Sequence, residues 1–157
     1  FSAFSGVDRQ IMLLEGDGVH LQGAAGQWQH ALTQRWEPFA FSGDEPVDCH
    51  MLGGVSTDFN LMLRRGAWTG RLKVLRDVLP AGRAAAGLCM VLQGTWRYED
   101  GDARPAWMLA AGQGLWWVSE GGEAAPSIAP VRRAEGAMSA DDAPVLAWVA
   151  LHRGSTP

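Results

Sequence analysis

Polar side chains recur at every second position in the stretch that begins at Asp58, and their types suit the binding of a small acidic molecule. One set of alternate residues is polar apart from a methionine: Asp58, Asn60, Met62 and Arg64. The other set is apolar until its last member: Phe59, Leu61, Leu63 and Arg65. Because successive side chains of a strand point to opposite faces, we expect the first set to line a pocket and the apolar members of the second set to pack. An edge strand with one wet face would show the same alternation.

Two earlier stretches carry residues suited to the same chemistry. Either Arg9 or Arg64 could clamp a carboxylate with its forked guanidinium, and the Asn60 amide could both donate and accept hydrogen bonds. In this interpretation Asp58 and Asn60 orient the polar end of the ligand, and two further side chains form apolar walls. The predicted ligand-binding residues are Arg9, Phe41, Asp58, Asn60, Met62 and Arg64. The alternative is internal Asp–Arg pairing that only fixes the fold.

The sequence lacks the residue patterns that are typical of metal, redox, nucleophilic and phosphate-binding sites. The four histidines, His20, His30, His50 and His152, show neither a His-x-His nor a His-x-x-x-His spacing, so no metal site is predicted. Cys49 and Cys89 do not form a Cys-x-x-Cys pair and are expected to be buried thiols. Neither a nucleophile elbow nor a phosphate-binding glycine loop is found. We therefore predict no catalytic residues, no metal and no cofactor.

Composition limits the remaining classes of function. The 157 residues suit one ordinary domain, and 47% hydrophobic with 19% charged residues is typical of a globular protein. A net charge of -4 gives no general attraction to phosphate backbones or anionic membranes. No apolar run approaches the roughly 20 residues of a membrane span, and the first residues do not resemble a signal peptide. A cytoplasmic protein that binds neither nucleic acid nor membranes is expected.

Short strands separated by turns must position these residues. The apolar run from Ile11 to Leu14, the turn Gly16-Asp17-Gly18 and the alternation after Val19 predict a β-hairpin. Residues 119–130, rich in Gly, Glu, Ala and Pro, predict a surface loop, and residues 83–86 a short connector. Some eleven or twelve strands in two clusters, before about Arg76 and after about Gly87, favour an all-β barrel or sandwich.

Several ordered motifs in the first 70 or so residues resemble the HutD/Ves family. They lie at residues 1–9, 13–18 and 38–44, and most specifically at Asp58-Phe59-Asn60-Leu61-Met62-Leu63-Arg64-Arg65-Gly66. The resemblance implies a cupin-type β-barrel with two barrel-like halves (a bicupin), about 1–82 and 83–157, in a bacterial cytoplasm. It also implies an upstream segment with a Trp and an Asn-Gly motif that this sequence does not include.

For function, the resemblance implies a regulator of histidine utilisation that binds formylglutamate-like metabolites, or a stress-associated protein of the Ves type. Together with the alternation after Asp58, it favours a non-catalytic binder of a small acidic or amide-bearing metabolite. The oligomeric state is left open by the sequence, and a homodimer is one of the states considered. One alternative is a cupin enzyme, with or without a metal, acting on a small acid or sugar. Another is an interaction module with a Trp-rich surface.

Overall fold

A computed structural model of the chain describes residues 1–78, 84–99, 106–119, 127–131 and 143–154. Within these residues it is all-β apart from one 3-10 turn at Ala24–Gly26. The strands are β1 Val7–Glu15, β2 Val19–Gly23, β3 Gln29–Leu32, β4 Phe39–Ser42, β5 Val47–Met51, β6 Thr57–Arg64, β7 Trp68–Leu75, β8 Ala86–Gln93, β9 Thr95–Glu99, β10 Trp107–Ala110, β11 Gly114–Val118, β12 Ser127–Pro130 and β13 Val145–Arg153. The all-β prediction is confirmed and fits a cupin-like fold; the organisation into two barrels stays a prediction.

The chain divides into two compact units, the first made of Phe1–Thr69 with Gly154–Pro157. It contains two three-stranded antiparallel sheets, ordered β4-β1-β6 and β3-β2-β5. Alternate apolar residues of both sheets form one core: Ile11, Leu13, Val19, Leu21, Leu32 and Val47, with Trp28, Phe39 and Phe41 packed against it. The period-two pattern of these strands therefore builds a two-sheet core with β1 and β2 as the central strands.

The predicted hairpin between β1 and β2 is wrong. β1 pairs with β4 and β6, whereas β2 pairs with β3 and β5, so the two consecutive strands belong to different sheets. The turn between them has Gly16 at φ +96° and Gly18 at φ +87°, a backbone conformation that glycine adopts at little steric cost. The glycines carry the chain from one sheet to the other, so consecutive strands do not pair.

The second unit comprises Gly70–Arg153. Its sheets are ordered β11-β8-β13-β7 and β10-β9-β12. Its core is rich in aromatic residues: Cys89, Val91, Trp96, Tyr98, Leu109, Ile128, Leu146 and Trp148. A Cβ placed on Gly87 would lie 2.1 Å from a ring carbon of Trp117. Glycine at this position is therefore required for the indole to pack across β8.

The surface loop predicted for residues 119–130 is partly wrong, since Ser127–Pro130 forms strand β12. β12 lies at the edge of its sheet, where a proline is tolerated because one side of an edge strand needs no ladder hydrogen bond. Residues 120–126 and the first residue of the predicted connector, Arg83, lie outside the described residues. Across the described part of the chain, no helix has the length and apolar character of a membrane span.

Candidate functional site

The central strand of the first sheet carries Arg9 between two predicted site residues. In the antiparallel registers, Arg9 lies opposite Phe41 of β4 and opposite Met62 of β6. Asn60 and Asp58 follow along β6 opposite Ile11 and Leu13. Directly opposed residues share a face, and so do residues two apart. All six predicted residues therefore lie on one face of this sheet, with Arg64 at its end opposite Val7.

Arg9 is the buried charged residue of the described chain, with a side chain only 2% exposed. Its guanidinium carbon lies over three aromatic rings, at 5.1 Å from the ring centroid of Phe1, 5.6 Å from that of Phe4 and 4.8 Å from that of Phe41. The rings attract the cation but accept no conventional hydrogen bonds. Among the described residues, Arg9 Nε and Nη1 have no hydrogen-bond partner. A buried guanidinium with unsatisfied N–H donors is the environment that an anion would complete.

Burial shifts the pKa values of Arg9 and Asp58 toward their neutral forms, and the opposite charge of each residue opposes the shift of the other. Desolvation lowers the pKa of Arg9, and the negative charge of Asp58 opposes that shift. Partial desolvation likewise raises the pKa of Asp58, against the effect of the Arg9 charge. Asp58 nevertheless retains an exposed surface. The two groups therefore interact electrostatically across the same face while Asp58 stays open to solvent.

Asn60 supplies the second unsatisfied group of this face. Its Oδ1 is buried and accepts no hydrogen bond from the described part of the protein. On neighbouring strands, diagonally related residues such as Arg9 and Asn60 are roughly 7–8 Å apart. The face therefore presents N–H donors at one point and a carbonyl acceptor at another, a spacing that a small bifunctional molecule can span.

A row of aromatic rings extends the site beyond Phe41, and the sequence interpretation did not include it. Phe39 lies 5.9 Å from Phe41 between ring centroids, and His30 stacks on Phe39 at 3.8 Å and 4°. Trp28 contacts both phenylalanines, at 5.4 and 5.6 Å. Trp28 and His30 are two residues apart, as are Phe39 and Phe41. Because the residues of each pair are two apart, their rings project to the same side of an extended chain. This spacing was the sequence signal that could have identified the aromatic row.

The alternate residues of β6 differ in exposure. Leu61 and Leu63 are 6% and 8% exposed, and Met62 is 38% exposed. Arg64 is exposed at the end of the strand. Arg9, rather than Arg64, therefore has its guanidinium in a desolvated environment. A hydrogen-bonded contact with a carboxylate is strongest in such an environment.

A different arginine forms the internal Asp–Arg pairing that was the alternative to ligand binding. Arg65 follows β6, and its Nη2 lies 2.8 Å from Asp8 Oδ1 while its Nη1 lies 2.9 Å from Asp44 Oδ2. Asp44 also accepts a hydrogen bond from the Gly6 backbone N–H at 2.7 Å and from Ser42 Oγ at 2.9 Å. The network joins β1, the turn after β4 and the turn after β6. Arg9 is not part of this network. The network therefore does not satisfy the N–H groups of the buried Arg9 guanidinium.

We expect the Asp44 network to make stability depend on pH below about 4. The Gly6 N–H, Arg65 and Ser42 lower the pKa of Asp44 from 3.8 to about 2. Because the folded pKa is depressed, the stabilisation is present above the unfolded pKa and is lost as pH falls toward about 2. Urea unfolding from pH 5 to pH 2.5 should show a steeper loss for the wild type than for Asp44→Asn. Asp48→Asn, which removes an exposed strand carboxylate, is the control; equal slopes for wild type and Asp44→Asn would contradict the prediction.

The two cysteines differ from each other. Cys89 is buried, as predicted, and burial raises its pKa to about 11. The prediction for Cys49 is wrong, because this thiol is exposed. Cys49 lies on β5, which is at the edge of its sheet among the described strands. Partial burial still raises its pKa, and the Asp58 charge contributes to the same shift.

Comparisons with known proteins agree with this architecture. The family model described as HutD matches residues 1–134. Protein Ves of Cronobacter sakazakii is 37% identical over 118 residues, which are 74% of this chain and 61% of that protein. Protein Ves of Citrobacter koseri is 35% identical over 118 residues, 74% of this chain and 58% of its own length. The chain thus spans about three fifths of the length of these curated relatives.

Two solved structures share the fold. A conserved protein of unknown function from Pseudomonas aeruginosa PAO1 superposes with a TM-score of 0.77 at 27% identity, covering 98% of this chain and 75% of that one. HutD from Pseudomonas fluorescens SBW25 gives a TM-score of 0.74 at 22% identity, covering 98% and 72%. At 22% identity the second likeness supports the fold alone.

Proposed function

Because the chain belongs to the HutD family, we propose that its first unit is a non-catalytic binding site for a small acidic, amide-bearing metabolite. The proposal rests on Arg9, which is 2% exposed. Its Nε and Nη1 have no hydrogen-bond partner among the described residues. An unsatisfied buried donor costs about 1–3 kcal/mol, and more when charged, so a ligand carboxylate that accepts both hydrogen bonds recovers a large free energy.

The neighbouring groups indicate what else the ligand carries. Asn60 Oδ1 is a buried acceptor that calls for an N–H donor, and Asp58 can accept a second one at the exposed end of the row. Phe41 and Met62, on either side of Arg9, form apolar walls. A carboxylate followed within a few bonds by an amide N–H meets these requirements. Formylglutamate-like metabolites have this arrangement, which fits a regulatory role in histidine utilisation.

Direct binding measurements test the proposal. We expect formylglutamate or formiminoglutamate to bind by calorimetry. Glutamate and urocanate, which lack an N–H carrying a formyl or formimino group near the carboxylate, should bind more weakly. At about 100 times its dissociation constant a specific ligand adds about 2.7 kcal/mol to the unfolding free energy. For a chain of this length, that raises the thermal midpoint by roughly 5–10 °C.

Matched compounds and a product assay sharpen the result. The diester of formylglutamate keeps the amide but removes both charges, so it should not bind. Absence of any thermal shift with all four acids at millimolar concentration would contradict the proposal. NMR spectra of the ligand after overnight incubation separate binding from turnover, because conversion of the ligand would instead support the enzyme alternative.

A further inference from the structure

A pair of histidines is brought together on the other sheet of the first unit, away from the Arg9 face. β2 is the central strand of the β3-β2-β5 sheet, and His20 on β2 lies directly opposite His50 on β5. The backbone N–H of Leu52 donates to the Gly18 carbonyl at 3.1 Å, which fixes the same ladder two residues away. Directly opposed residues of antiparallel strands have Cβ atoms about 4.5–5.5 Å apart.

Both imidazoles lie on the outer face of this sheet. The residues that flank His20 along β2 point into the core, Val19 at 6% and Leu21 at 0% exposure. Because side chains alternate along a strand, His20 and its partner point the opposite way. His50 is exposed and His20 is half-buried. On the other side of His20 the cross-strand neighbour is Ala31, a small exposed residue that leaves room above the sheet.

We propose that His20 and His50 form a two-histidine chelate for a divalent transition-metal ion on this outer face. Imidazole suits Zn²⁺, Cu²⁺ and Ni²⁺, and two imidazoles held on adjacent strands bind one ion together. The part of the chain that the structure describes holds no cluster of three or more His, Cys, Asp or Glu residues suited to a metal. In this proposal the two imidazoles are the ligands from the described part of the chain, and solvent completes the coordination.

The bound ion would tie an edge strand to its neighbour. Among the described strands, β5 pairs with β2 alone, so a metal bridge between His50 and His20 adds a connection that does not depend on backbone hydrogen bonds. The site is independent of the proposed ligand site, whose residues lie on β1, β4 and β6. Failure of one proposal leaves the other unaffected.

Zinc titration of the whole chain tests the chelate. The purification tag is removed, and every protein carries Cys49→Ser so that the exposed thiol does not bind the ion. We expect one Zn²⁺ per chain by calorimetry and joint shifts of the His20 and His50 side-chain signals in ¹H–¹⁵N spectra. Because loss of even an outer partner of a metal ligand costs about 10–100-fold in affinity, His20→Gln and His50→Gln should each weaken binding at least tenfold.

Two relocation variants use the strand register as a control. The row next to the histidines on this face pairs Gln22 with Asp48. The combination His20→Gln, His50→Gln, Gln22→His and Asp48→His moves the pair by one row and should restore tight binding. The combination His50→Gln and Asp48→His keeps the number of histidines but sets them diagonally, roughly 7–8 Å apart, and should not.

The outcomes are distinct. Weak binding by both single variants and by the diagonal variant, with recovery in the relocated pair, establishes the chelate. If the single variants bind Zn²⁺ as tightly as the parent, or if the diagonal variant binds as tightly as the relocated pair, the chelate is wrong. Circular dichroism of the metal-free proteins checks that every variant keeps the all-β spectrum.

Discussion

Replacing Arg9 with methionine is expected to abolish metabolite binding without lowering the stability of the fold. Truncating one member of a buried charge pair costs about 2–5 kcal/mol of binding free energy, so affinity should fall at least about 30-fold. The same change removes a guanidinium that is 2% exposed and has two unsatisfied N–H groups among the described residues. Methionine has a similar length and carries no charge to desolvate.

The free energy of unfolding of Arg9→Met depends on whether the lost contacts outweigh the desolvation cost that the substitution removes. Contacts of a desolvated cation with aromatic rings are worth about 2 kcal/mol. Two unsatisfied donors cost about 1–3 kcal/mol each, and the desolvation of the charge costs several kcal/mol more. The free energy of unfolding of Arg9→Met should therefore equal or exceed that of the wild type when no ligand is present.

Two variants control for the Arg9 result. Arg64→Met removes an exposed guanidinium from the same face and should change affinity little. Arg9→Lys keeps the charge but loses the fork, so it should bind with intermediate affinity. Calorimetry gives the affinities and urea unfolding gives the stabilities. Wild-type affinity in Arg9→Met would remove Arg9 from the site, and a large loss in Arg64→Met would transfer the carboxylate clamp to that residue.

Gly18→Ala is expected to be the most destabilising of the conservative changes considered. Gly18 has φ +87°, and an added Cβ would lie 2.2 Å from the carbonyl oxygen of Leu32. A left-handed conformation costs an L-residue about 1–2 kcal/mol. Overpacking against a backbone atom that cannot rotate away adds about 1–3 kcal/mol. We expect a total of about 2–5 kcal/mol and, for a chain of this size, a thermal midpoint lower by roughly 10 °C.

Gly6→Ala is the matched control for that substitution. Gly6 also has a positive φ, +71°, but an added Cβ would meet no atom within 4 Å. Gly6→Ala should therefore lose only the conformational part of the unfolding free energy, about 1–2 kcal/mol. The difference between the two variants in urea unfolding isolates the steric contact with Leu32. Equal losses would show that the backbone conformation alone accounts for the requirement for glycine.

Local periodicity was sufficient for part of this structure. The alternation after Asp58 predicted a strand with two unlike faces, and β6 covers Thr57–Arg64 with Leu61 and Leu63 buried. A period of two is a property of consecutive residues, so it can be read without knowing the fold. It did not decide between Arg9 and Arg64, because burial depends on which strand becomes central and on what covers it.

The features that were missed depend on pairing between distant segments. The β1–β2 hairpin was wrong because both strands found partners elsewhere. The Arg65 network joins side chains that are 57 and 21 residues apart along the chain. Spacing rules for histidine metal sites apply along one segment, whereas His20 and His50 meet across a ladder. A strand register is set by the complete sheet and by the turns that connect it.

The pairing of β1 with β6 also has a kinetic consequence. Arg9 meets Met62 only after the chain has closed a loop of about fifty residues, and non-local contacts of this kind slow folding to milliseconds or seconds. A slip of one residue in this pairing would turn Asp8 and Gln10 inward and Arg9 outward, since side chains alternate between faces. The folding of this sheet therefore has to reject a nearby register that pairs as many backbone groups but buries the wrong charge.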